Sequence, residues 1–409
     1  MDEELALLAG RYTPQMQETM VRLGSKMPFA EAVQEVWHSR RTHVSATTLR
    51  RLTYRVGRAA EALVHQKVEE LQREAPAVEA APEKLVISAD GTFIRLISGE
   101  WREVKSVALG EFETVWRAKK GELEVKSRDI SYFSRSYRVR EFERYALEEM
   151  QRRGLHNAQT VVAVNDGAEW IQSFLDYHCP QAVRIIDFAH TLGYLSDAAK
   201  AIWGEGTEAC QAWFKGAAQR LKHKPPPQTV ANLRLLAQKA KNEEQEAEVD
   251  RALLYIQTRS EMMDYPHFQK RGYPIGSGSV ESGHKVVTHR RLKGAGMRWA
   301  EHHVDPMLAL RDLLCNDRWE EGWQETVTHQ QEQRWTTRLQ KANEKRPPPS
   351  APVTFAMLEA AGLLPVEDPS DQPPANDEPL TEDNKPWRPA ADHPWRNDKW
   401  PTREAWRWN

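Results

Sequence analysis

Three acidic residues stand where carboxylates can take part in phosphodiester chemistry. Asp90 and Asp166 each close a short apolar run, and Glu281 follows a Gly/Ser-rich loop at 276–279. Carboxylate oxygens are the ligands that Mg²⁺ prefers. Two divalent ions about 4 Å apart can activate an attacking water or 3′-hydroxyl and stabilise the leaving oxygen. A single aspartate before a glycine is more often a turn residue, so only the three acids together indicate a metal site.

Apolar runs alternate with predicted helices through the middle of the chain, which is typical of an α/β fold whose sheet is covered on both faces. The predicted strands that end at or just before an aspartate are Leu85–Asp90, Val161–Val164 and Val183–Ile186. Further strands are predicted at Thr92–Ile97, Trp101–Leu109, Glu111–Ala118 and Glu122–Ser127, with a turn at 119–121 between the last two. Helices are predicted at Tyr137–Gly154, Ala168–Tyr177 and Glu301–Leu314. Ligands gather at the ends of parallel strands, so acids far apart in sequence can share one site.

Asp187 and His190 follow the last of the apolar runs, and the sequence leaves two interpretations open. The pair straddles a strand end, so both side chains could reach the same cleft as the acids. Alternatively, Asp187 begins a helix and His190 is structural, which is the commoner case for such a pair by itself. The following residues, 188–270, are predicted to be almost wholly helical.

The N-terminal residues predict a helix-turn-helix. An apolar rhythm at Phe29–Val36 is followed by a polar turn, and Ser45 is a suitable N-cap for a helix at Ala46–Arg58. This second helix would offer Thr48, Arg50, Arg51 and Tyr54 to a DNA groove. A plain helical hairpin with surface arginines is the alternative. A further helix is predicted at about Ala59–Arg73.

The charge distribution is uneven although the formal net charge of the 409 residues is only −2. Six arginines and no acid occur between Trp37 and Arg58, and eight Lys or Arg stand against five acids between Arg271 and Arg318. A DNA enzyme without overall positive charge must concentrate it locally in this way. Three well-separated cysteines argue against a disulfide framework and a thiolate zinc site. No apolar run reaches about 18 residues, so no membrane span is expected, and the N-terminus does not resemble a secretory signal.

The motifs around these residues resemble those of bacterial insertion-sequence transposases of the ISKra4 type, which are relatives of the Mutator-like DDE group. The shorter matching motifs are Ala89–Thr92, Asn165–Ile171 and Asp187–His190, the last in the place of a D-x-x-H motif. The most specific motif is Pro274–Ser282 with Lys285, and it continues through Arg291–Lys293 and Gly296–Trp299. The resemblance covers residues 1–323, and a family-like tail motif follows at His393–Arg396.

This resemblance implies an RNase H-like mixed sheet with a helical insertion, in an enzyme that cuts the ends of its own element and joins them to target DNA. It implies that Asp90, Asp166 and Glu281 hold two Mg²⁺ ions, or Mn²⁺ in their place. His190 and Asp187 would orient DNA or assist near the scissile phosphate. Contacts to DNA phosphates would come from Lys285, one turn after Glu281, and from Arg291, Lys293 and Arg298. For Trp299, stacking on an unpaired base and ordinary packing remain alternatives, packing being the commoner.

The implied domains are a helical DNA-binding domain at 1–82, a catalytic core at 83–187 and 271–325, a helical insertion at 188–270 and a Pro/Trp-rich tail at 326–409. Little stable structure is expected after about Gln340. Five tryptophans in the tail either dock on a neighbouring subunit or on the same chain, or belong to a weakly ordered segment that folds back. An irregular C-terminal tail thus completes the predicted α/β architecture.

Two other functions remain open: an RNase H-fold nuclease without strand transfer, and a DNA-binding relic of a transposase without catalysis. Family members often begin with a Cys-rich module, whose cysteines this sequence lacks, so recognition of the element ends is left open. The expected partners are double-stranded DNA, from the terminal inverted repeats and the target, and a second copy of the chain. The expected location is the bacterial cytoplasm, in association with the nucleoid.

Overall fold

The computed structural model describes residues 12–74, 82–117 and 122–344. In these ranges the strands form one mixed sheet in the order β3-β2-β1-β4-β5. The strands are β1 (Lys84–Arg95), β2 (Trp101–Arg117), β3 (Glu122–Arg135), β4 (Thr160–Asn165) and β5 (Val183–Ile186). The pairs β1/β2 and β2/β3 are antiparallel, whereas β1/β4 and β4/β5 are parallel. The predicted mixed α/β class is therefore confirmed.

Helices surround this sheet and also form the N-terminal part of the chain. Before β4 they are α1 (Pro14–Lys26), α2 (Phe29–Arg40), α3 (Ala46–Arg73) and α4 (Val139–Arg152). Between β4 and Lys270 they are α5 (Glu169–His178), α6 (Phe188–Trp203), α7 (Glu208–His223), α8 (Pro226–Ala237), α9 (Glu243–Thr258) and α10 (Tyr265–Lys270). The remaining ones are α11 (Gly278–Gly283), α12 (Arg290–Leu292), α13 (Val304–Cys315) and α14 (Trp319–Glu344). The segment 188–270 is thus largely helical, as predicted.

Three strands are longer than the sequence pattern predicted, and one of them, β3, continues past the predicted end at Ser127 to Arg135. β1 continues through Asp90 and Gly91, which keep their backbone pairing with β2 instead of turning. β2 continues through Gly110, where its pairing with β3 shifts register. The breaks in apolar alternation at these points predicted separate strands, but pairing with the neighbouring strand carries the backbone across them. The turn predicted at 119–121 lies outside the described residues.

One continuous helix, α3, replaces the two helices predicted for 46–73. Ser45 caps its start as predicted, because its Oγ accepts a hydrogen bond from the Thr48 amide. No proline interrupts the 28 residues of the helix. Gly57 lies against α13 so closely that a Cβ at this position would come within 2.4 Å of the Pro306 carbonyl oxygen. Glycine here permits close helix packing and does not end the helix.

Helices cover both faces of the sheet, as the continuous apolar runs predicted. On one face, Val86 belongs to the apolar cluster formed with helices α6 to α10. On the other face, Leu85 and Ile87 pack in a cluster with Phe142 of α4 and Phe174 of α5. Successive side chains of a strand point to opposite faces, so a strand buried on both faces has no polar alternation.

The N-terminal helices share their core with the C-terminal ones. Leu49 of α3 packs in one apolar cluster with Leu310 of α13 and with Trp319 and Trp323 of α14. Helix α14 continues to Glu344, so the predicted tail begins with helical residues, 326–344, and the helix extends slightly past Gln340, after which little stable structure was expected. The tail tryptophans lie outside the described residues. In the three described ranges, no helix has the length and apolar character needed to cross a membrane.

A buried ion pair joins the edge strand of the sheet to α13. The Nη1 atom of Arg135, at the end of β3, lies 2.5 Å from Oδ2 of Asp312, and both residues are buried. The same carboxylate oxygen accepts a hydrogen bond from the Ser134 amide. Two buried charges are stable only when each has its partner and its hydrogen bonds, so this ion pair ties the helical core to the sheet.

We expect Asp312→Ala to lower the free energy of unfolding by roughly 3–5 kcal/mol, because Arg135 is left buried without its counter-ion. Urea denaturation followed by circular dichroism measures this change. Glu320→Ala is the matched control, since it removes only the exposed ion pair with Arg22 and is expected to cost less than about 1 kcal/mol. Equal losses of stability in the two variants would contradict the structural role of the pair.

Candidate active site

Three aspartates, Asp90, Asp166 and Asp187, lie just beyond the paired residues of the parallel strands. The paired register of β1 and β4 ends at Ile87 and Ala163, and Asp90 and Asp166 each lie three residues further along the chain. Asn165 of β4 pairs with Ile186 of β5, so the next residue on each strand is again an aspartate, Asp166 and Asp187. Neighbouring strands lie about 4.8 Å apart. Asp166 and Asp187 therefore follow directly after β4 and β5, and Asp90 lies on the neighbouring strand β1.

The side chain of Asn165 occupies the gap where β1 and β4 stop pairing. Its Oδ1 accepts a hydrogen bond of 2.7 Å from the Ala89 amide, and its carbonyl accepts one from the Asp187 amide. Asn165 is buried. An asparagine here satisfies the backbone donor that the parallel ladder leaves and fixes β1, just before Asp90, against the end of β4, just before Asp166.

Asp90 is partly open to solvent, with 44% of its side chain exposed. Its Oδ1 accepts a hydrogen bond from the Gly91 amide, and Nε2 of His284 lies 3.3 Å from its Oδ2. His284 is buried, and neither of its ring nitrogens has a hydrogen-bond partner in the described part of the chain. Asp90 therefore has a buried imidazole on one side and solvent on the other.

Asp166 is also partly exposed and stands at a tight turn. Its Oδ1 accepts a hydrogen bond from the Ala168 amide. Gly167 takes a φ of +84°, which favours glycine, and a Cβ there would come within 2.8 Å of the Ile186 side chain. The hydroxyl of Tyr255 donates a 2.6 Å hydrogen bond to the Asp166 carbonyl, so helix α9 of the insertion fixes the backbone of this acid.

Asp187, by contrast, is buried and fully engaged in holding two segments together. Its Oδ1 accepts from the His190 amide and caps α6, while its Oδ2 accepts from the amide and hydroxyl of Ser277. The Phe188 amide also bonds to the Ile275 carbonyl. Of the two interpretations left open by the sequence, this geometry favours the helix-start aspartate. Through these hydrogen bonds, Asp187 holds the Gly/Ser loop at the end of β5.

Glu281 is brought to the sheet by that loop. Helix α11 contacts β1 and β2, and Gly283 allows the close approach, since a Cβ there would lie 2.7 Å from the Tyr132 ring. The Glu281 side chain is 69% exposed, and its Oε1 lies 2.7 Å from Nζ of Lys285, as expected for neighbours on one helix face. Helix α11 thus lies against the sheet, but the carboxylate of Glu281 is paired with Lys285.

The donor chemistry of these acids suits a divalent cation, because carboxylate oxygens are the preferred ligands of Mg²⁺. Asp90 and Asp166 project from adjacent strands, and Asn165 fixes the spacing of those strands. Across the described ranges, however, no three His, Cys, Asp or Glu side chains are gathered closely enough to hold a metal ion. The Glu281 side chain would have to leave Lys285 to join the two aspartates.

A π-helical segment, His284–His289, adds groups that the sequence analysis did not select. A π-turn spans five residues, and the His284 and His289 rings stack at 6.1 Å. Nε2 of His289 is 3.0 Å from Oγ1 of Thr92 on β1, and Nζ of Lys293 donates to the same oxygen. Burial lowers the pKa of His289, and Lys293 adds to the effect. In the sequence, the position of His284 three residues after Glu281 was the signal that could have indicated a residue close to the candidate site.

The basic residues predicted to contact DNA do not all reach the surface. Arg291 is buried, its Nε donates to the Gly24 carbonyl, and its guanidinium lies over the rings of Phe29 and Trp299. This corrects the prediction that Arg291 contacts DNA phosphates. Burial lowers its pKa to about 10. Trp299 is buried too, with its indole N–H bonded to the Leu292 carbonyl, so it packs in the core.

The other residues predicted to contact DNA remain exposed. Lys285, Lys293 and Arg298 lie at the surface after Glu281, and so do Thr48, Arg50 and Arg51 on α3. Tyr54 does not: it is buried and stacks on the His303 ring at 3.7 Å. This corrects the prediction that Tyr54 is offered to a groove. His190 is exposed and its ring lies 5.8 Å from that of Tyr255, beside the turn at Asp166.

Comparison with known proteins does not identify the function of this site. No model of a protein family matches the chain, and no curated protein matches it.

We expect Asp187→Ala to loosen the Gly/Ser loop specifically. Removal of an N-cap costs about 1 kcal/mol, and the hydrogen bonds to Ser277 disappear with it. Hydrogen–deuterium exchange should accelerate at the amides of 276–283. Thr207→Ala is the matched control, because it removes the N-cap of α7, whose side chain accepts from the Cys210 amide. Unchanged exchange at 276–283 in Asp187→Ala, or the same increase in both variants, would contradict this role.

Proposed function

We propose that this chain is a DDE-type DNA transposase built on an RNase H-like core. The observation that carries the proposal is that Asp90 on β1 and Asp166 directly after β4 both lie just beyond the paired residues of these adjacent parallel strands, with the helix of Glu281 held against the same sheet. The mixed sheet, with two antiparallel and two parallel strand pairs, supports the fold only at the level of its strand order. The motif at 274–282 adds the resemblance to insertion-sequence transposases.

In this proposal, Asp90, Asp166 and Glu281 hold Mg²⁺ or Mn²⁺, which when bound activates the attacking oxygen and stabilises the leaving one. Asn165 fixes the distance between the strands that carry the two aspartates. Asp187 fixes the loop that brings Glu281 to the sheet. His284 fills the interior behind Asp90 and limits the directions in which its carboxylate can turn. His190, exposed near Asp166, is positioned to contact the DNA backbone.

DNA is the proposed partner, both as the inverted repeats at the element ends and as the target. Exposed positive charges after Glu281 and on α3 would neutralise phosphates. Two copies of the chain would bring the two element ends together, and the bacterial nucleoid would be the place of action. A nuclease without strand transfer is the second candidate, since the same acids would serve it. A DNA-binding relic would use α3 alone.

The decisive experiment incubates the full chain with a labelled duplex that carries the inverted repeat flanking the gene, in Mg²⁺ or Mn²⁺. We expect cleavage at the repeat end and joining to a second duplex. Both should be abolished by EDTA and in Asp166→Asn, which keeps the side-chain shape but removes the charge. Asp176→Asn is the matched control, because Asp176 is an exposed surface residue paired with Arg184, and its activity should equal that of the unaltered chain.

Cleavage without joining would replace the transposase proposal with the nuclease. Binding without cleavage in either metal would replace it with the DNA-binding relic. Full activity in Asp166→Asn would remove this acid from the site.

We expect the double variant Arg50→Ala, Arg51→Ala to bind the same duplex more weakly and with a smaller salt dependence. Each neutralised phosphate contributes about 0.9 to the slope of log affinity against log salt, so the slope should fall by about 1 for each phosphate that is no longer bound. Fluorescence anisotropy at several salt concentrations measures it. Arg234→Ala, an exposed arginine of α8, is the control. An unchanged slope would favour the plain helical hairpin for α2 and α3.

A further inference from the structure

One arginine of the helical insertion lies beside the candidate active site without an acidic partner. Arg259 follows directly after α9, and its Nη1 donates a 3.0 Å hydrogen bond to Oγ1 of Thr258. Within the described ranges this is the sole hydrogen bond of its guanidinium, and no Asp or Glu pairs with it. The side chain is partly exposed. A guanidinium carries five N–H donors, so most of them remain available.

The position of Arg259 is fixed against the backbone that carries Asp166. Its guanidinium lies 4.5 Å over the ring of Tyr255, and the hydroxyl of that tyrosine donates to the Asp166 carbonyl. A Cβ built on Gly167 would lie 2.9 Å from Nε of Arg259. Glycine at 167 therefore leaves room both for the left-handed turn after Asp166 and for the arginine beside it.

A second arginine, Arg251 within α9, differs from Arg259 in having acidic partners. Arg251 lies 5.2 Å over the ring of Tyr194, and this ring stacks at 3.9 Å on that of Tyr255. Arg251 is paired with Asp197 and Glu248. The two arginines thus flank one pair of stacked tyrosines, but the charge of Arg251 is neutralised by acids and the charge of Arg259, next to Asp166, is not.

We propose that Arg259 binds a phosphate of the DNA strand lying next to Asp166, and so supplies part of the active site from the helical insertion. The inference rests on the proposed function and deepens it. A planar guanidinium matches the oxygens of a phosphate with two parallel hydrogen bonds. A fixed positive charge beside the reacting phosphate also stabilises negative charge that develops during transfer. The stacking on Tyr255 holds the guanidinium in place before DNA arrives.

The test compares Arg259→Gln, Arg259→Lys and Arg251→Ala in binding to element-end duplexes in Ca²⁺ or EDTA, where no cleavage is needed. A series of duplexes carries one uncharged methylphosphonate at successive positions around the repeat end. When the methylphosphonate replaces the phosphate that Arg259 binds, the unaltered chain should bind the duplex about 10- to 100-fold more weakly. This is the range expected for a hydrogen bond to a charged group. Arg259→Gln should bind the all-phosphate duplex more weakly by the same factor and show no further decrease at that position.

The lysine variant separates the effect of the positive charge from the effect of the paired guanidinium donors. Arg259→Lys should retain part of the phosphate preference, because a point charge remains but the paired donors are gone. Arg251→Ala should keep the affinity and the methylphosphonate profile of the unaltered chain. Thermal unfolding of each variant shows whether it is folded. If Arg259→Gln folds poorly, the same comparison is made with Arg259→Lys, whose discrimination at that position should fall by several-fold.

A methylphosphonate profile in Arg259→Gln and Arg259→Lys that equals the profile of the unaltered chain would overturn the inference. The proposed function fails separately, if the unaltered chain does not cleave in Mg²⁺ or Mn²⁺. In that case a phosphate preference that depends on Arg259 would still support the phosphate site. Conversely, cleavage with normal rates in the folded Arg259 variants would leave the transposase proposal intact and remove Arg259 from it.

Discussion

The architecture of the candidate site depends on the hydrogen bonds of one buried carboxylate. Asp187 follows β5, caps α6 and binds the amide and hydroxyl of Ser277, which lies 90 residues further along the chain. Because the loop is held there, α11 is placed against β1, the strand that carries Asp90, and against β2. A cap that would otherwise stabilise one helix thus organises the site.

The N-terminal helices are integrated with the sheet and do not form a separate module. α3 packs on α13 through Gly57 and shares an apolar core with α14. Arg291 is buried between Phe29 and Trp299, and the ion pair at the end of β3 joins α13 to the edge strand.

The insertion contributes to the site through aromatic residues. Tyr255 reaches the Asp166 carbonyl, stacks on Tyr194 and lies under Arg259. Burial raises the pKa of Tyr255 above its usual value, so its hydroxyl stays protonated and remains a donor. The insertion thereby does two things at once: its apolar residues cover one face of the sheet, and its stacked rings hold a cation beside an acid.

Local patterns were enough to predict where β4 and β5 end and where several helices begin, because apolar runs, the Ser45 cap and the Gly/Ser loop act through neighbouring residues. They predicted the α/β class, the place of Asp166 directly after β4, and the helical segment 188–270, but Asp90 lies within β1 and not at its end. Other features emerged only in the folded chain: β1 and β2 continue past their glycines, Arg291 and Tyr54 are buried, and Arg259 lies at the turn after Asp166. These features depend on pairing and packing between residues far apart in the chain, and single-residue patterns carry no information about such partners.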